Sequence, residues 1–163
     1  MNHQPVVTDV SGRQFACFPV GILIFIVNEE EEILLLAHPE RKDEWEIVKG
    51  GLEAGETILQ AALRETREEV GPDVQVRPLG TVHAMTVRQD ENVAQTIGLF
   101  YLLAYEGGAI QPGDDMLGSQ FRWWGLEELA DERVKVIVPS EKWIIERAVE
   151  LYRLWKDQEE EVG

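Results

Sequence analysis

Residues 50–72 read GGLEAGETILQAALRETREEVGP, and this stretch decides the fold around it. Thr57 followed three positions later by Gln60 is typical of a helix capping box, so the sequence predicts that a helix begins at Thr57. We expect the helix to end at Val70 because a Gly-Pro pair follows; glycine suits the left-handed end of a helix, and proline cannot continue it. Both ends of the helix are therefore predicted from local sequence.

Three glutamates share one face of this predicted helix. Glu65, Glu68 and Glu69 lie three and four positions apart, which places their carboxylates in one patch. The adjoining face carries the residues that we expect to be buried, namely Leu59, Ala62, Leu63, Thr66 and Val70. A hard cation such as Mg²⁺ prefers oxygen ligands, usually a few carboxylates together with water and phosphate oxygens. The patch therefore predicts a magnesium site at the edge of the core.

The residues around this patch have the spacing Gly-x5-Glu-x7-Arg-Glu-U-x-Glu-Glu-x-Gly-U, in which U is a bulky apolar residue. The matching positions are Gly50, Glu56, Arg64, Glu65, Glu68, Glu69 and Gly71. This pattern resembles the Nudix box, so the chain is identified as a member of the Nudix hydrolase family by residues Gly50 to Pro72. Thr66 and Pro72 depart from the pattern at the U positions, and neither departure removes a metal ligand.

The resemblance implies a metal centre. Glu65, Glu68 and Glu69 would hold Mg²⁺, for which Mn²⁺ is an alternative, and the carbonyl of Gly50 would add a ligand. Arg64 would orient the glutamates, since an arginine fork can hold carboxylates that would otherwise separate. Glu56, another position of the box, would support the loop before the helix. We count Glu56 and Arg64 with the three glutamates as the expected catalytic set.

The resemblance also implies a reaction. We expect Mg²⁺-dependent hydrolysis of a diphosphate linkage in a nucleoside diphosphate that is joined to another moiety, as in ADP-ribose or a dinucleoside polyphosphate. The base that takes a proton from the attacking water is either Glu65 or one of the loop residues Asp114 and Asp115. The sequence does not choose between these candidates.

Three residues near the box are candidate substrate contacts. Lys49 directly precedes Gly50 and resembles the Pro-Lys-Gly turn of the family's polyphosphate branch, although Val48 stands in place of the proline. Its ammonium can meet a phosphate as a point charge, and the alternative is a lysine that is solvated in a turn. Arg41 lies in the loop before the next strand and is a candidate for phosphate or base. Trp45 is a candidate for stacking on a base, although tryptophan more often packs in the core.

Two other readings keep the fold and change the function. One is a diphosphate isomerase, which needs a catalytic cysteine, and Cys17 in an apolar segment is poorly placed for that role. The other is a nucleotide-sensing module that binds without turnover. An intact box and the lack of a helix-turn-helix pattern argue against the sensing module.

Strands are predicted on both sides of the helix. Apolar runs at Phe15–Val27 and Ile33–Ala37 predict a hairpin, and Glu44–Val48 predicts a third strand that enters a glycine-rich turn at residues 49–51. Later elements are predicted as follows: strands at Val74–Met85, Thr96–Tyr105 and Phe121–Trp124, a loop at Gly107–Gly118, and a last helix after Pro139. This order predicts an α/β fold, a Nudix α/β/α sandwich with a mixed β-sheet, in a single domain over residues 1–163.

The charge of the chain limits its partners. It carries 15 Lys and Arg against 31 Asp and Glu, for a formal net charge of −16. Such a charge repels phosphate backbones, so we expect a small-molecule nucleotide as the partner and no nucleic acid. The acidic runs Glu29–Glu32 and Glu159–Glu161 are predicted to be a solvated hairpin tip and a solvated tail.

Cysteine content and hydropathy add two further expectations. Cys17 is the single cysteine of the chain, which excludes an internal disulfide framework. The longest apolar run, Phe18–Val27, is shorter than the roughly 20 residues that cross a bilayer. We therefore expect no membrane partner and a cytoplasmic location, and we leave a homodimer open.

Overall fold

The structure, a computed structural model, describes residues 5–87 and 95–158. It contains an eight-stranded mixed sheet, a separate two-stranded hairpin and three α-helices. The strands are β1 Val6–Thr8, β2 Gln14–Ala16, β3 Val20–Val27, β4 Ile33–Ala37, β5 Glu44–Glu46, β6 Val48–Gly51, β7 Gln75–Val87, β8 Thr96–Gly107, β9 Phe121–Trp124 and β10 Lys135–Val138. The helices are α1 Ile58–Val70, α2 Leu126–Leu129 and α3 Lys142–Trp155.

The sheet combines parallel and antiparallel pairs, as the sequence predicts. Its strand order is β10-β5-β4-β3-β8-β7, with β6 paired to β3 and β9 paired to β4. The β3–β8 and β10–β5 pairs are parallel, and the other pairs are antiparallel. Strand β3 lies at the centre: it pairs with β8 along its whole length, with β6 at residues 21–24 and with β4 at Val27.

Each face of the sheet has its own apolar core, because successive side chains of a strand point to opposite faces. Ile22, Ile24 and Ile26 of β3 pack in a cluster with residues of α1. Phe25 and Val27 pack on the opposite face in a cluster with residues of α3. A sheet with a helix on each face confirms the predicted α/β/α sandwich.

Both predicted ends of α1 are confirmed. Thr57 and Gln60 form a reciprocal capping box: the Gln60 amide donates to Thr57 Oγ1 at 3.2 Å, and the Thr57 amide donates to Gln60 Oε1 at 2.8 Å. Gly71 follows the helix with a φ of 126°, a conformation that L side chains rarely adopt. The Thr66 hydroxyl donates to the carbonyl of Ala62 at 2.8 Å, so a polar side chain is satisfied on the buried side of the helix.

The predicted buried face of α1 is partly wrong. Leu59 is 37% exposed, whereas Ala61, Glu65 and Glu69 are buried together with residues of the expected face. The helix is therefore rotated so that two of its glutamates point inward. Gly50 of β6 permits this orientation, because the absence of a side chain there lets Glu65 approach the sheet.

Two strand predictions need correction. Residues 49–51 are not a turn but the end of β6, where they pair with β3. The run Phe15–Val27 is not one strand, since it divides into β2 and β3 around Pro19, which has no amide hydrogen for a ladder. The sequence reading also missed β10, a short strand whose pairing with β5 comes from residues far apart in sequence.

The predicted acidic hairpin tip is confirmed in part. Residues 29–32 connect β3 and β4, and Glu29 and Glu30 are exposed, whereas Glu31 is half-buried and pairs with Arg153 of α3 and with Lys156. The predicted tail at Glu159–Glu161 lies outside the described residues. In the described part of the chain, every helix is too short or too polar to cross a membrane.

Candidate functional site

Arg64 connects the loop before α1 to the glutamates on the helix. Its Nε and Nη2 donate to the two carboxylate oxygens of Glu56 at 2.7 and 3.0 Å. Its Nη1 donates to Glu65 Oε1 at 2.6 Å and to Glu68 Oε2 at 3.3 Å, and its Nη2 also donates to the carbonyl of Gly51 at 2.9 Å. One guanidinium thus contacts three carboxylates and the end of β6. A planar fork can make these contacts at once, and an ammonium cannot.

Glu56 is oriented from both sides. Besides Arg64, it accepts a hydrogen bond from the amide of Glu53 at 3.0 Å, which closes the loop on itself. The bidentate contact with Arg64 holds the pKa of Glu56 below its usual value. The Glu56 carboxylate therefore stays charged and keeps Arg64 in position.

Gly50 is required by the close approach of Glu65. A Cβ added to Gly50 would lie 1.9 Å from Cδ and from Oε1 of Glu65, a separation that no packed pair of atoms can adopt. The Glu65 carboxylate thus lies directly on the backbone of β6. The position of the box that the resemblance treats as a carbonyl ligand is therefore also the position that admits the Glu65 side chain.

Glu65 and Glu69 are buried carboxylates, at 8% and 7% exposure. Burial raises the pKa of Glu69 to about 7, and the amide of Lys49, which donates to its Oε2 at 3.3 Å, opposes this only in part. Burial also raises the pKa of Glu65, although Arg64 opposes the change. Two buried carboxylates with raised pKa values mark a place where an added cation would stabilise the charged forms.

The donor set fits a hard divalent cation in its chemistry. Three carboxylates and a backbone carbonyl are all oxygen ligands, which Mg²⁺ prefers. As the side chains stand, no group of three Asp, Glu, His or Cys residues within 5–87 and 95–158 is arranged to hold a metal ion. Instead, the Glu65 carboxylate accepts a hydrogen bond from Arg64, and the Glu69 carboxylate accepts one from the amide of Lys49.

A cavity of about 860 Å³ lies beside these glutamates. Its lining includes Glu69 and Gly50 of the box, together with Lys49. Lys49 Nζ lies 2.5 Å from Oε1 of Glu46, a buried carboxylate that also lines the cavity. The box and one predicted substrate contact therefore meet at one cavity, and Glu46 is a lining residue that the sequence reading missed.

The structure does not bring Arg41 and Trp45 to this cavity. Arg41 is exposed and pairs with Glu44, with Nε 3.0 Å from Oε2. Trp45 packs edge-on against Trp124, with ring centroids 5.0 Å apart, and contacts the core on the α3 face. Neither residue is in the described lining, so their role as substrate contacts stays a prediction without support from position.

The loop after β8 reaches the cavity because it is bonded to the end of α1. The Gln111 amide donates to the carbonyl of Val70 at 2.7 Å, and the Gly113 amide donates to the carbonyl of Glu69 at 3.2 Å. Both aspartates belong to a short 3₁₀ helix, Asp114–Met116, in which Asp114 has a φ of 48°. Of the two, only Asp115 is in the described lining of the cavity. The structure thus separates two adjacent aspartates that the sequence could not distinguish.

Comparisons with known proteins agree with this geometry. A family model described as the NUDIX domain matches residues 18–144. The NAD-capped RNA hydrolase NudC of Vibrio atlanticus is 29% identical over 135 residues, which cover 80% of this chain and 47% of that protein. The dihydroneopterin triphosphate diphosphatase of Escherichia coli is 44% identical over 57 residues, 34% of this chain and 38% of that protein.

A solved structure is similar in fold. The ADP-ribose pyrophosphatase from Streptococcus suis superposes with a TM-score of 0.64 and 17% sequence identity, covering 84% of this chain and 93% of that one. At such identity the likeness concerns the fold alone. The chain spans about half the length of the curated relatives that it matches.

Proposed function

Since the chain belongs to the Nudix hydrolase family, we propose that it hydrolyses a diphosphate linkage in a nucleoside diphosphate joined to another moiety, with Mg²⁺ as cofactor and Mn²⁺ as an alternative. The substrate is of the ADP-ribose or dinucleoside polyphosphate type. The observation that carries this proposal is the contact of Arg64 with Glu56, Glu65 and Glu68 beside a cavity that Glu69 lines.

The proposed metal ligands are Glu65, Glu68, Glu69 and the carbonyl of Gly50. Mg²⁺ bound there would neutralise diphosphate oxygens and acidify a water. Arg64 positions the ligands and does not touch the reacting atoms in this scheme. Lys49, at the cavity wall, places a positive charge where a phosphate would lie.

Two residues remain candidates for the base that takes the proton of the attacking water. Glu65 is within the box and hydrogen-bonded to Arg64. Of the two loop aspartates, Asp115 lines the cavity, so we propose Asp115 as the loop candidate in place of Asp114. A base has to be within hydrogen-bond reach of the water, and the cavity position of Asp115 meets the first condition for this.

The relatives support a nucleotide with a second group. NudC of Vibrio atlanticus is named for NAD-capped RNA, and NAD contains a diphosphate between two nucleosides. We propose the small-molecule dinucleotide as the substrate of this chain, because a net charge of −16 opposes contact with an RNA backbone. The absence of a nucleic-acid partner stays a prediction, and a homodimer stays open.

The non-hydrolytic alternatives gain less support. An isomerase needs a cysteine in its cavity, and the described lining contains none; Cys17 is half-buried between β2 and β3. A binding module would not need the buried glutamates of the box, whose charged forms are costly without a cation.

A nucleotide panel tests the proposed reaction. We expect AMP to be released from ADP-ribose, from NAD or from diadenosine polyphosphates in Mg²⁺, and no product to form in chelator. Chromatographic separation of the products, with water labelled by ¹⁸O, identifies the phosphorus that is attacked. A panel in which none of these compounds is cut in Mg²⁺ or Mn²⁺ would contradict the proposal and favour a binding module.

Removal of the cavity lysine tests its role as a substrate contact. We expect Lys49→Met to raise KM by about tenfold or more and to change kcat little. A charge-assisted contact to a phosphate stabilises the bound substrate and the transition state alike, so its loss weakens binding and leaves the chemical step unchanged. The double variant Lys49→Met with Glu46→Gln avoids a stranded buried carboxylate, and Glu46→Gln alone is its control. An unchanged KM in the double variant would show that Lys49 only pairs with Glu46.

A further inference from the structure

Three glycines form one row across three neighbouring strands, and we call Gly51, Gly21 and Gly98 the glycine row. Gly21 of β3 pairs with Gly51 of β6 on one side and with Gly98 of β8 on the other. Neighbouring strands lie about 4.8 Å apart, so the row spans roughly 10 Å. All three residues line the cavity beside the glutamates.

The fold does not require glycine at two of these positions. None of the three has a positive φ. A Cβ on Gly51 would meet nothing within 4 Å, and a Cβ on Gly21 would meet only carbonyl oxygens at 3.9 and 4.0 Å. Gly98 is buried, and a Cβ there would meet Leu23 at 3.3 Å and Val87 at 3.7 Å, so packing within the protein accounts for that glycine. Glycine within a strand weakens it, and it often marks a place where a ligand approaches the backbone closely.

A buried hydroxyl without a partner lies at one end of the row. Thr96 precedes Gly98 by two positions on β8, so its side chain points to the same face of the sheet. Thr96 is 5% exposed and lines the same cavity. Its Oγ1 has no hydrogen-bond partner in the described part of the chain. Buried hydroxyl groups are normally bonded, so this one is open to a partner from outside the described residues.

Other groups around the row define what can bind there. Leu23 and Val87 line the same part of the cavity and are apolar. Lys49 pairs with Leu23 across β6 and β3, one row away from the glycines, so the proposed phosphate position lies next to the row. The row is thus bordered by two apolar side chains, by the Lys49–Glu46 pair on one flank and by the Thr96 hydroxyl at one end.

We propose that the glycine row and Thr96 bind the base of the nucleotide, a planar heteroaromatic ring that lies flat on the peptide groups and bonds the Thr96 hydroxyl through its polar edge. This rests on the proposed function and names the part of the substrate that the cavity selects. A side chain at Gly21 or Gly51 would stand where the ring lies. Glycine weakens a strand, and in this proposal the central strands carry glycines because the base needs the space.

Binding of two product-like ligands tests the proposal without turnover. Titration calorimetry in Mg²⁺ compares AMP with ribose 5-phosphate, which lacks the base. We expect Gly21→Val to raise the Kd of AMP at least about tenfold, or about 1.4 kcal/mol, and to leave that of ribose 5-phosphate within about twofold. Thr96→Val should raise the Kd of AMP by about threefold to tenfold with the same selectivity.

Controls separate a lost contact from a damaged fold. Gly125→Ala adds a Cβ that would meet only Glu128 Oε2 at 3.9 Å, away from the cavity lining, and should leave both ligands unchanged. Gly21→Val and Thr96→Val should melt at or above the wild type, because one adds a strand-forming side chain and the other removes an unbonded buried hydroxyl.

Three results would overturn the proposal: equal affinity of the wild type for AMP and ribose 5-phosphate, unchanged AMP binding in Gly21→Val, or an equal loss of both ligands in Gly21→Val. Unchanged AMP binding in Thr96→Val would show that the Thr96 hydroxyl does not contact the base. Selective loss of AMP in a protein that hydrolyses none of the diphosphate panel would contradict the proposed reaction and leave the base site in place.

Discussion

Glu68→Gln and Glu69→Gln are each expected to lower kcat by on the order of a thousandfold, because each removes a charge that matters most when negative charge develops on the diphosphate. Glu68 is largely exposed and Glu69 is buried, so an equal loss in both would reflect their shared role and not a shared effect on packing. The measurement is steady-state hydrolysis of the substrate identified by the panel, with Mg²⁺ titrated for each variant.

The control for these variants is Glu150→Gln, which removes one charge from an exposed position of α3. Its kcat should equal that of the wild type. Thermal melts of all variants in chelator establish that the fold is intact. Turnover near that of the wild type in either box variant would mean that the acidic face of α1 is not the metal site.

The second large effect is on stability, and it depends on pH. The pKa of Glu69 is about 7 in the folded protein and near the ordinary value of 4.5 in the unfolded chain. The folded state therefore holds a proton that the unfolded state releases, so stability is lost as the pH rises from 4.5 to 7 and levels off above that. A difference of this size corresponds to about 3 kcal/mol in the free energy of unfolding.

Glu69→Gln removes this penalty. In metal-free buffer at pH 8 we expect the variant to be more stable than the wild type by up to about 3 kcal/mol, and at pH 5 we expect the difference to be small. Denaturant unfolding at the two pH values, with Glu150→Gln as the exposed-charge control, measures the difference. A variant that is equally destabilised at both pH values would contradict a buried Glu69 carboxylate with a raised pKa.

Mg²⁺ should remove most of this difference in stability. At about a hundred times its dissociation constant, Mg²⁺ adds roughly 2.7 kcal/mol to the wild type, and it should add little to Glu69→Gln. The melting temperature at pH 8 with and without Mg²⁺ provides the test. A wild type whose melting temperature does not respond to Mg²⁺, even with a non-hydrolysed nucleotide, would contradict a metal site at α1.

Local sequence determined α1 and the residues that the site contains. Thr57 with Gln60 and Gly71 before Pro72 are short-range signals, since a cap or a helix end depends on residues within one turn. The apolar run of β3 and the helical spacing of the glutamates are likewise local signals, and the sandwich with its mixed sheet was predicted from the order of strands and helices.

Tertiary structure decided which of these residues face one another. The packing of helix and sheet buries Glu65 and Glu69, leaves Leu59 exposed and places Trp45 against the core. A helical period alone does not determine these positions. Register between distant strands aligned the glycine row, and backbone bonds from the loop to α1 separated Asp115 from Asp114. The sequence determined the chemical groups and their local geometry, and long-range packing determined their burial, their pKa values and the cavity that they share, because those quantities depend on neighbours that are remote along the chain.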